Sequence, residues 1–203
     1  ADARRHGVVI RRPDLHASGV DAVLEPVGEG GMPGKPTGKE SCTLRQQPPV
    51  RPFDRRAPDE YEDHRRDGDF AVRLGLAEIN GIGKRLAARI VAEREGAGPF
   101  TGMHDLVRRT GATEAQLEAL ATAGALSCLG VTRREGLWLA GNAAQDRAEF
   151  LEGTIAAVQP PLFADQSNYD ILAADLWATG VSPDDHPLAH YRAELSARGI
   201  LTS

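Results

Sequence analysis

The chain has 203 residues, with 24 Lys plus Arg against 29 Asp plus Glu and a net charge of −5. Hydrophobic residues make up 41% and aromatics only 5%, while 22 Gly and 13 Pro interrupt the rest. That composition argues against one compact core built from the whole chain and for a packed helical unit with much loop. No run of about 18 apolar residues occurs, which excludes a membrane-spanning helix. The N-terminus lacks the charged, apolar, small-residue succession of a secretory signal. Cys42 and Cys128 make no disulfide framework and match no zinc spacing, so a reduced, cytoplasmic protein is expected. The opening Ala1-Asp2-Ala3, without Met, reads as part of a longer polypeptide.

Charge is unevenly distributed. Residues 1–24 carry four basic and three acidic groups, and residues 71–151 carry ten and nine. Residues 152–203 have only Arg192 and Arg198 against seven carboxylates. No broad basic face emerges, so strong nonspecific attraction to nucleic acid is not expected. Any contact with DNA would have to be small and built from backbone groups.

Val8-Val9-Ile10 suggests a short strand, with a second at Ala22-Val23-Leu24 beyond a Pro-, Ser- and Gly-containing loop. From Pro26 to Pro58, 12 of 33 residues are Gly or Pro, with little to bury. Residues 26–69 therefore read as a flexible insertion, with Phe53 and Tyr61 as isolated aromatics. Ala71–Leu74 predicts another short strand. Leu76, Ile79, Ile82, Leu86, Ala87, Ile90 and Val91 then follow at helical spacing, broken by Gly81 and Gly83. Two helices joined by a tight hairpin are expected, the second from Lys84 to Arg94 and ended by Gly96-Ala97-Gly98-Pro99. A third helix is predicted from Met103 to Gly111, and a fourth opens on the capping-box pair Thr113 and Gln116. Further helices are expected near Thr132–Leu151, Tyr169–Ala178 and Leu188–Arg198. The fold class is thus mostly α, with a few short N-terminal strands.

The hairpin carries the one motif with a mechanism. Residues 76–90, LAEINGIGKRLAARI, fit the helix-hairpin-helix pattern of apolar–x–x–apolar–x–Gly–apolar–Gly followed by Ala87 and Ile90. Glycines permit a turn too tight for a Cβ and a close approach of backbone to phosphate. The helix beyond Gly83 begins with amides that lack intrahelical partners, at its positive end. Gly81, Ile82, Gly83, Lys84 and Arg85 are therefore the candidate phosphate-binding residues, with amides supplying the grip, Ile82 anchoring inward, and Lys84 and Arg85 adding charge. Such contacts hold a duplex without reading its sequence. The competing reading is a packing turn between helices. Leu117–Leu126, ending Ala123-Gly124-Ala125-Leu126, looks like a degenerate second hairpin that packs against the first.

Several phrases occur in one order: Asp2-Ala3-Arg4-Arg5-His6-Gly7-Val8, Ala71–Leu76 leading into Gly81-Ile82-Gly83, Gly98-Pro99-Phe100, Asp105-Leu106-Val107 and Leu117–Leu126. Together they resemble the C-family bacterial DNA polymerases, and Trp177–Leu188 resembles their error-prone branch. The resemblance spans nearly all of the chain except 26–69. It implies that residues 1–25 end a fingers-like region, that 70–151 form a tandem helix-hairpin-helix domain, and that 152–203 are an acidic linker and helices approaching an oligonucleotide-binding barrel. It also implies a nucleotidyltransferase whose catalytic palm, with its Mg ions, lies upstream; this stretch is expected to hold no cofactor and to be inactive alone. The partners implied are duplex DNA, the sliding clamp and other mutasome proteins, in damage-induced synthesis past lesions.

Other features are weaker. Gln159-Pro160-Pro161-Leu162-Phe163 resembles a clamp-binding peptide through Gln159, Leu162 and Phe163; the alternative is a turn capping a local core. His186 and His190 are four apart but lack a third ligand, so no metal site is assigned. Asp105, 22 residues after Gly83, raises a DNA glycosylase reading, although an acid early in a helix also suits the dipole. A helical adaptor recruiting the clamp or repair proteins remains the alternative to a DNA-binding module.

Overall fold

A computed structural model describes residues 9–26, 70–146, 159, 161–164 and 166–200. The proposed insertion lies outside the described residues apart from Pro26, as do Phe53, Tyr61 and Cys42. The described elements are three strands, β1 (Val9–Arg11), β2 (Val23–Pro26) and β3 (Phe70–Arg73), and seven helices: α1 (Lys84–Ala97), α2 (Met103–Thr110), α3 (Glu114–Thr122), α4 (Arg133–Ala143), α5 (Asn168–Thr179), α6 (Pro187–His190) and α7 (Arg192–Ala197). They divide into two compact units, one built on the strands and one on residues 12–22 together with the chain from Leu74 onward. None of the described helices is long and apolar enough to cross a membrane.

In the strand unit, β3 is central, parallel to β1 and antiparallel to β2. Glu25 accepts hydrogen bonds from Arg11 (2.8 Å) and from Arg73 (2.8 Å). Desolvation raises the carboxyl pKa, but these two arginines outweigh it and hold Glu25 below its ordinary value.

The helical unit closes around Leu15, Leu76, Ile90, Leu106, Leu117 and Leu120, all essentially inaccessible. Residues 12–22 form a strap locked by its own side chains. Asp14 accepts from the His16 and Ala17 amides, and the Ser18 hydroxyl donates to the Leu74 carbonyl at 2.7 Å. The Leu76 and Ala77 amides donate to Gly19 and Val20 carbonyls. The strap passes so close to Gly75 that a Cβ there would lie 2.4 Å from the Asp21 carbonyl carbon. The helix expected before the hairpin is one 3-10 turn, Leu76–Glu78, whose first two amides the strap caps and which ends at Ile79 in an extended conformation.

Other boundaries moved for similar reasons. α1 runs three residues past Arg94, and the Arg94 guanidinium donates to the Leu15 and Ser18 carbonyls. α4 stops at Ala143, short of Leu151, and Asp146 beyond it is held by His104 (3.1 Å) and Arg108 (2.9 Å). The single helix expected over Leu188–Arg198 is divided at Tyr191 (φ −103°, ψ 3°). There His190 bonds Asp185 at 2.6 Å and meets the Tyr169 ring edge-on. The capping box of α3 forms as expected from Thr113 and Gln116, and two more appear, Thr132 with Glu135 at α4 and Ser167 with Asp170 at α5.

One buried carboxylate joins distant parts of this unit. Asp175, 2% exposed, receives Arg12 through Nε (3.1 Å) and a terminal nitrogen (2.8 Å), the Ser182 hydroxyl (3.0 Å), and the Arg133 guanidinium. Desolvation pushes its pKa up; hydrogen bonds from Arg12 and Arg133 win and hold it below the ordinary 3.8. A depressed carboxyl contributes stability that is present above its unfolded-state pKa and disappears as pH falls through the folded-state value. Asp175→Asn leaves the Arg133 guanidinium without its counter-ion and Arg12 with Asp184, and should lower unfolding stability by about 3 kcal/mol at pH 7. In urea titrations the loss should shrink below pH 3.8, where the parent carboxylate itself takes up a proton.

Candidate nucleic-acid interface

The hairpin occupies residues 79–83. Ile79 and Ile82 are 2% and 3% exposed, so both apolar positions of the motif point into the core. Gly81 sits at φ +89°, a conformation that side chains with a Cβ rarely adopt. Gly83 differs: it is the N-cap of α1 at φ −76°, ψ 159°, and a Cβ built on it would meet nothing within 4 Å. The first glycine is thus required by the turn, whereas the second keeps the surface before the helix bare.

Backbone polarity follows from the same geometry. The Ile82 amide, expected to face outward, donates instead to the Ile79 carbonyl at 2.9 Å and closes the turn. The Asn80 amide donates to Ala178 at the end of α5 at 2.7 Å. Among the described residues, the amides of Gly81, Gly83, Lys84 and Arg85 have no hydrogen-bond partner. Ile82 therefore contributes its anchoring side chain, and the outward donors are its neighbours.

The start of α1 is unlike the starts of α3, α4 and α5. Each of those has a hydroxyl N-cap, a capping box and an acid in its first turn. α1 has a glycine cap, no capping side chain and no acid, and its first two residues are basic. Aligned peptide dipoles make this end positive, an effect worth about 0.3–1 kcal/mol toward an anion. Lys84 is 78% exposed and pairs with Asp21 at 3.1 Å, an exposed contact that solvent and salt readily weaken. Arg85 is exposed and, among the described residues, forms no ion pair.

The remaining candidates separate clearly. The second hairpin turns at Gly124 (φ +74°), against which the Arg133 guanidinium lies about 3.1 Å from where a Cβ would stand. Leu126 stands where a second glycine would fall and is buried, so this turn has an arginine over it and an apolar anchor in it. Arg108, Arg109, Arg133 and Arg134 are all engaged within the chain: Arg108 with Asp146, Arg109 with Asp105 and the Gly98 carbonyl, Arg133 with Asp175, Arg134 with the Ala164 carbonyl. Asp105 accepts from the Thr101 amide and from Arg109, a helix-start and ion-pair role rather than that of a free general base. The N-cap of α6 is His186, which accepts from the Leu188 amide, while Asp184 pairs with Arg12. Leu162 is fully exposed and Phe163 is 38% exposed, so Leu162 does not cap a core; Gln159 is exposed too. Pro160, between them, lies outside the described residues.

A family model described as a helix-hairpin-helix motif matches residues 7–136. Relatives named "Error-prone DNA polymerase" from Mycobacterium tuberculosis (strain ATCC 25618 / H37Rv) and Cutibacterium acnes are 38% and 41% identical over 201 and 206 residues. Another of that name, from Nocardia farcinica, is 38% identical over 209 residues. Each alignment takes in 99% of this chain but only 15%, 18% and 15% of the respective relative. The chain thus spans less than a fifth of the length of the relatives it matches.

The contrast between the two glycines is directly measurable. Gly81→Ala should cost about 1–2 kcal/mol of unfolding stability, because the turn forces an unfavourable φ on the new side chain. Gly83→Ala should cost about 1 kcal/mol or less, since its backbone is ordinary and the space is open. Parallel urea melts of the two variants decide it; equal losses would mean that the turn does not fix Gly81 as described.

Proposed function

Because the chain belongs to the helix-hairpin-helix family, we propose that it grips duplex DNA by its phosphates without reading sequence. A backbone phosphate would sit at the start of α1, accepting hydrogen bonds from the amides of Gly81, Gly83, Lys84 and Arg85. Lys84 and Arg85 add charge, and buried Ile82 fixes the hairpin that presents the amides. The observation that carries this is the bare, acid-free, glycine-capped N-terminus of α1, with its amides open beside two basic side chains. In the longer protein that the relatives suggest, this stretch keeps the primer–template duplex seated during error-prone synthesis past damage. The polymerising chemistry belongs elsewhere in that protein.

Fluorescence anisotropy with a labelled 20-mer duplex, titrated at several salt concentrations, tests the reading. Weak, sequence-indifferent binding is expected, with a salt slope worth about 2–4 phosphates. Gly83→Val should weaken it about tenfold, near 1.4 kcal/mol, while far-ultraviolet circular dichroism shows unchanged helix content. Equal affinity of variant and parent would remove the phosphate from this hairpin.

A second contact is favoured by one observation, the complete exposure of Leu162 beside a half-exposed Phe163. These two side chains, with Gln159, suit an apolar groove on a sliding clamp. Surface plasmon resonance should show binding of the chain to a bacterial clamp and its loss in Leu162→Ala/Phe163→Ala, with duplex affinity unchanged. Unaltered clamp binding in that variant would exclude the peptide.

A further inference from the structure

A groove of about 490 Å³ opens beside the hairpin, lined by Gly83, Arg85, Leu86, Arg89, Gly111 and Gln116. We propose that it is a second phosphate subsite, in which Arg89 with the Gln116 side-chain amide holds the phosphate next to the one at the α1 N-terminus. This rests on the hairpin reading, which supplies the neighbouring phosphate.

The distribution of arginine contacts carries the argument. Among the described residues, every other arginine is bound to a carboxylate or a carbonyl of this chain: Arg11 and Arg73 to Glu25, Arg12 and Arg133 to Asp175, Arg94 to the Leu15 and Ser18 carbonyls, with the remainder similarly engaged. Arg85 and Arg89 alone among them form no ion pair or hydrogen bond with described residues, and both are exposed. They stand four apart on α1, so they share one face about 6 Å apart along its axis. Two like charges in that relation repel and destabilise a helix unless an anion lies between or beside them. A spacing of one helical turn is on the scale of the step between consecutive phosphates of a strand.

The opposite wall offers no competing acid. Gly111 has no side chain to intrude, and the Arg89 terminal nitrogen lies 3.9 Å from where its Cβ would be. Gln116 accepts the Thr113 amide through Oε1 at 3.0 Å, which fixes the orientation of its amide group. Its Nε2 is therefore left as a donor, of the right polarity for a phosphate oxygen. Gly83 belongs both to the hairpin and to the groove, so a strand crossing the α1 N-terminus continues directly into it. Arginine suits the position because its planar fork takes two phosphate oxygens at once.

The test is the duplex titration on the full chain with Arg89→Gln, Gly83→Val and, as a charge control, Arg198→Gln. Arg198 pairs with Glu194 at 2.5 Å on α7 and lines no part of the groove. Arg89→Gln should weaken duplex binding three- to tenfold and reduce the magnitude of the slope of log K against log salt by about 0.9, with Arg198→Gln matching the parent in both. Arg89→Gln with parental affinity and slope, while Gly83→Val is weakened, would overturn the subsite and leave the hairpin reading standing. A loss in Arg89→Gln with parental binding by Gly83→Val would dismiss the hairpin phosphate and, with it, the subsite as its neighbour. Equal losses in Arg89→Gln and Arg198→Gln would reduce the effect to net charge and overturn the subsite, and no binding by the parent at low salt would overturn both.

Discussion

The helical unit depends on one carboxylate taken out of water. Asp175 is 2% exposed, and an unpaired charge so placed would be untenable. Two arginines and a serine hydroxyl satisfy it, from three separate segments: the strap through Arg12, the start of α4 through Arg133, and the loop after α5 through Ser182. Each replaces part of the solvation that the buried carboxylate has lost. α5 is thereby fixed against the hairpin elements, and its last turn presents the Ala178 carbonyl to the Asn80 amide of the first hairpin. The bracing of the candidate phosphate site thus traces to a pair 163 residues apart in sequence.

The two hairpins show how a repeated motif can take different roles. Both turn on a glycine in the left-handed region, Gly81 and Gly124. At the second, Arg133 lies over the turn and is bound to Asp175, while Leu126 enters the core. At the first, the turn glycine Gly81 has only the Ala119 methyl near it and no guanidinium, the cap Gly83 has open space before it, and the adjacent cations are exposed. One hairpin is covered by the protein's own arginine, and the other begins its helix with a bare glycine cap and no acid in the first turn. A chain of net charge −5 attracts a polyanion only where such a local arrangement outweighs the overall field.

Much was legible in the order of residues. The glycine–apolar–glycine signature located the hairpin because each residue type answers a local demand: φ +89° at Gly81, burial at Ile82, a bare surface at Gly83. Helix α2 and the α3 cap were likewise set by neighbours within a turn. The Thr132/Glu135 and Ser167/Asp170 boxes were equally visible as sequence spacings and mark the starts of α4 and α5. Local sterics, capping and apolar periodicity act over a few residues, so sequence by itself determined the mostly helical class, the hairpin and its candidate donors.

Tertiary structure decided what depends on distant segments. The strap took the amides of Leu76 and Ala77 and so fixed the start of the turn that precedes the hairpin. The Asn80 amide was taken by the Ala178 carbonyl at the end of α5. Arg108, Arg109, Arg133 and Arg134 are each bound within the chain by partners that spacing does not reveal. Arg89 became a candidate only when Gly111 and Gln116 were brought across from it. Charge neutralisation and groove formation are properties of packed surfaces, and which arginines remain open to a ligand is settled only once every internal carboxylate has found its partner.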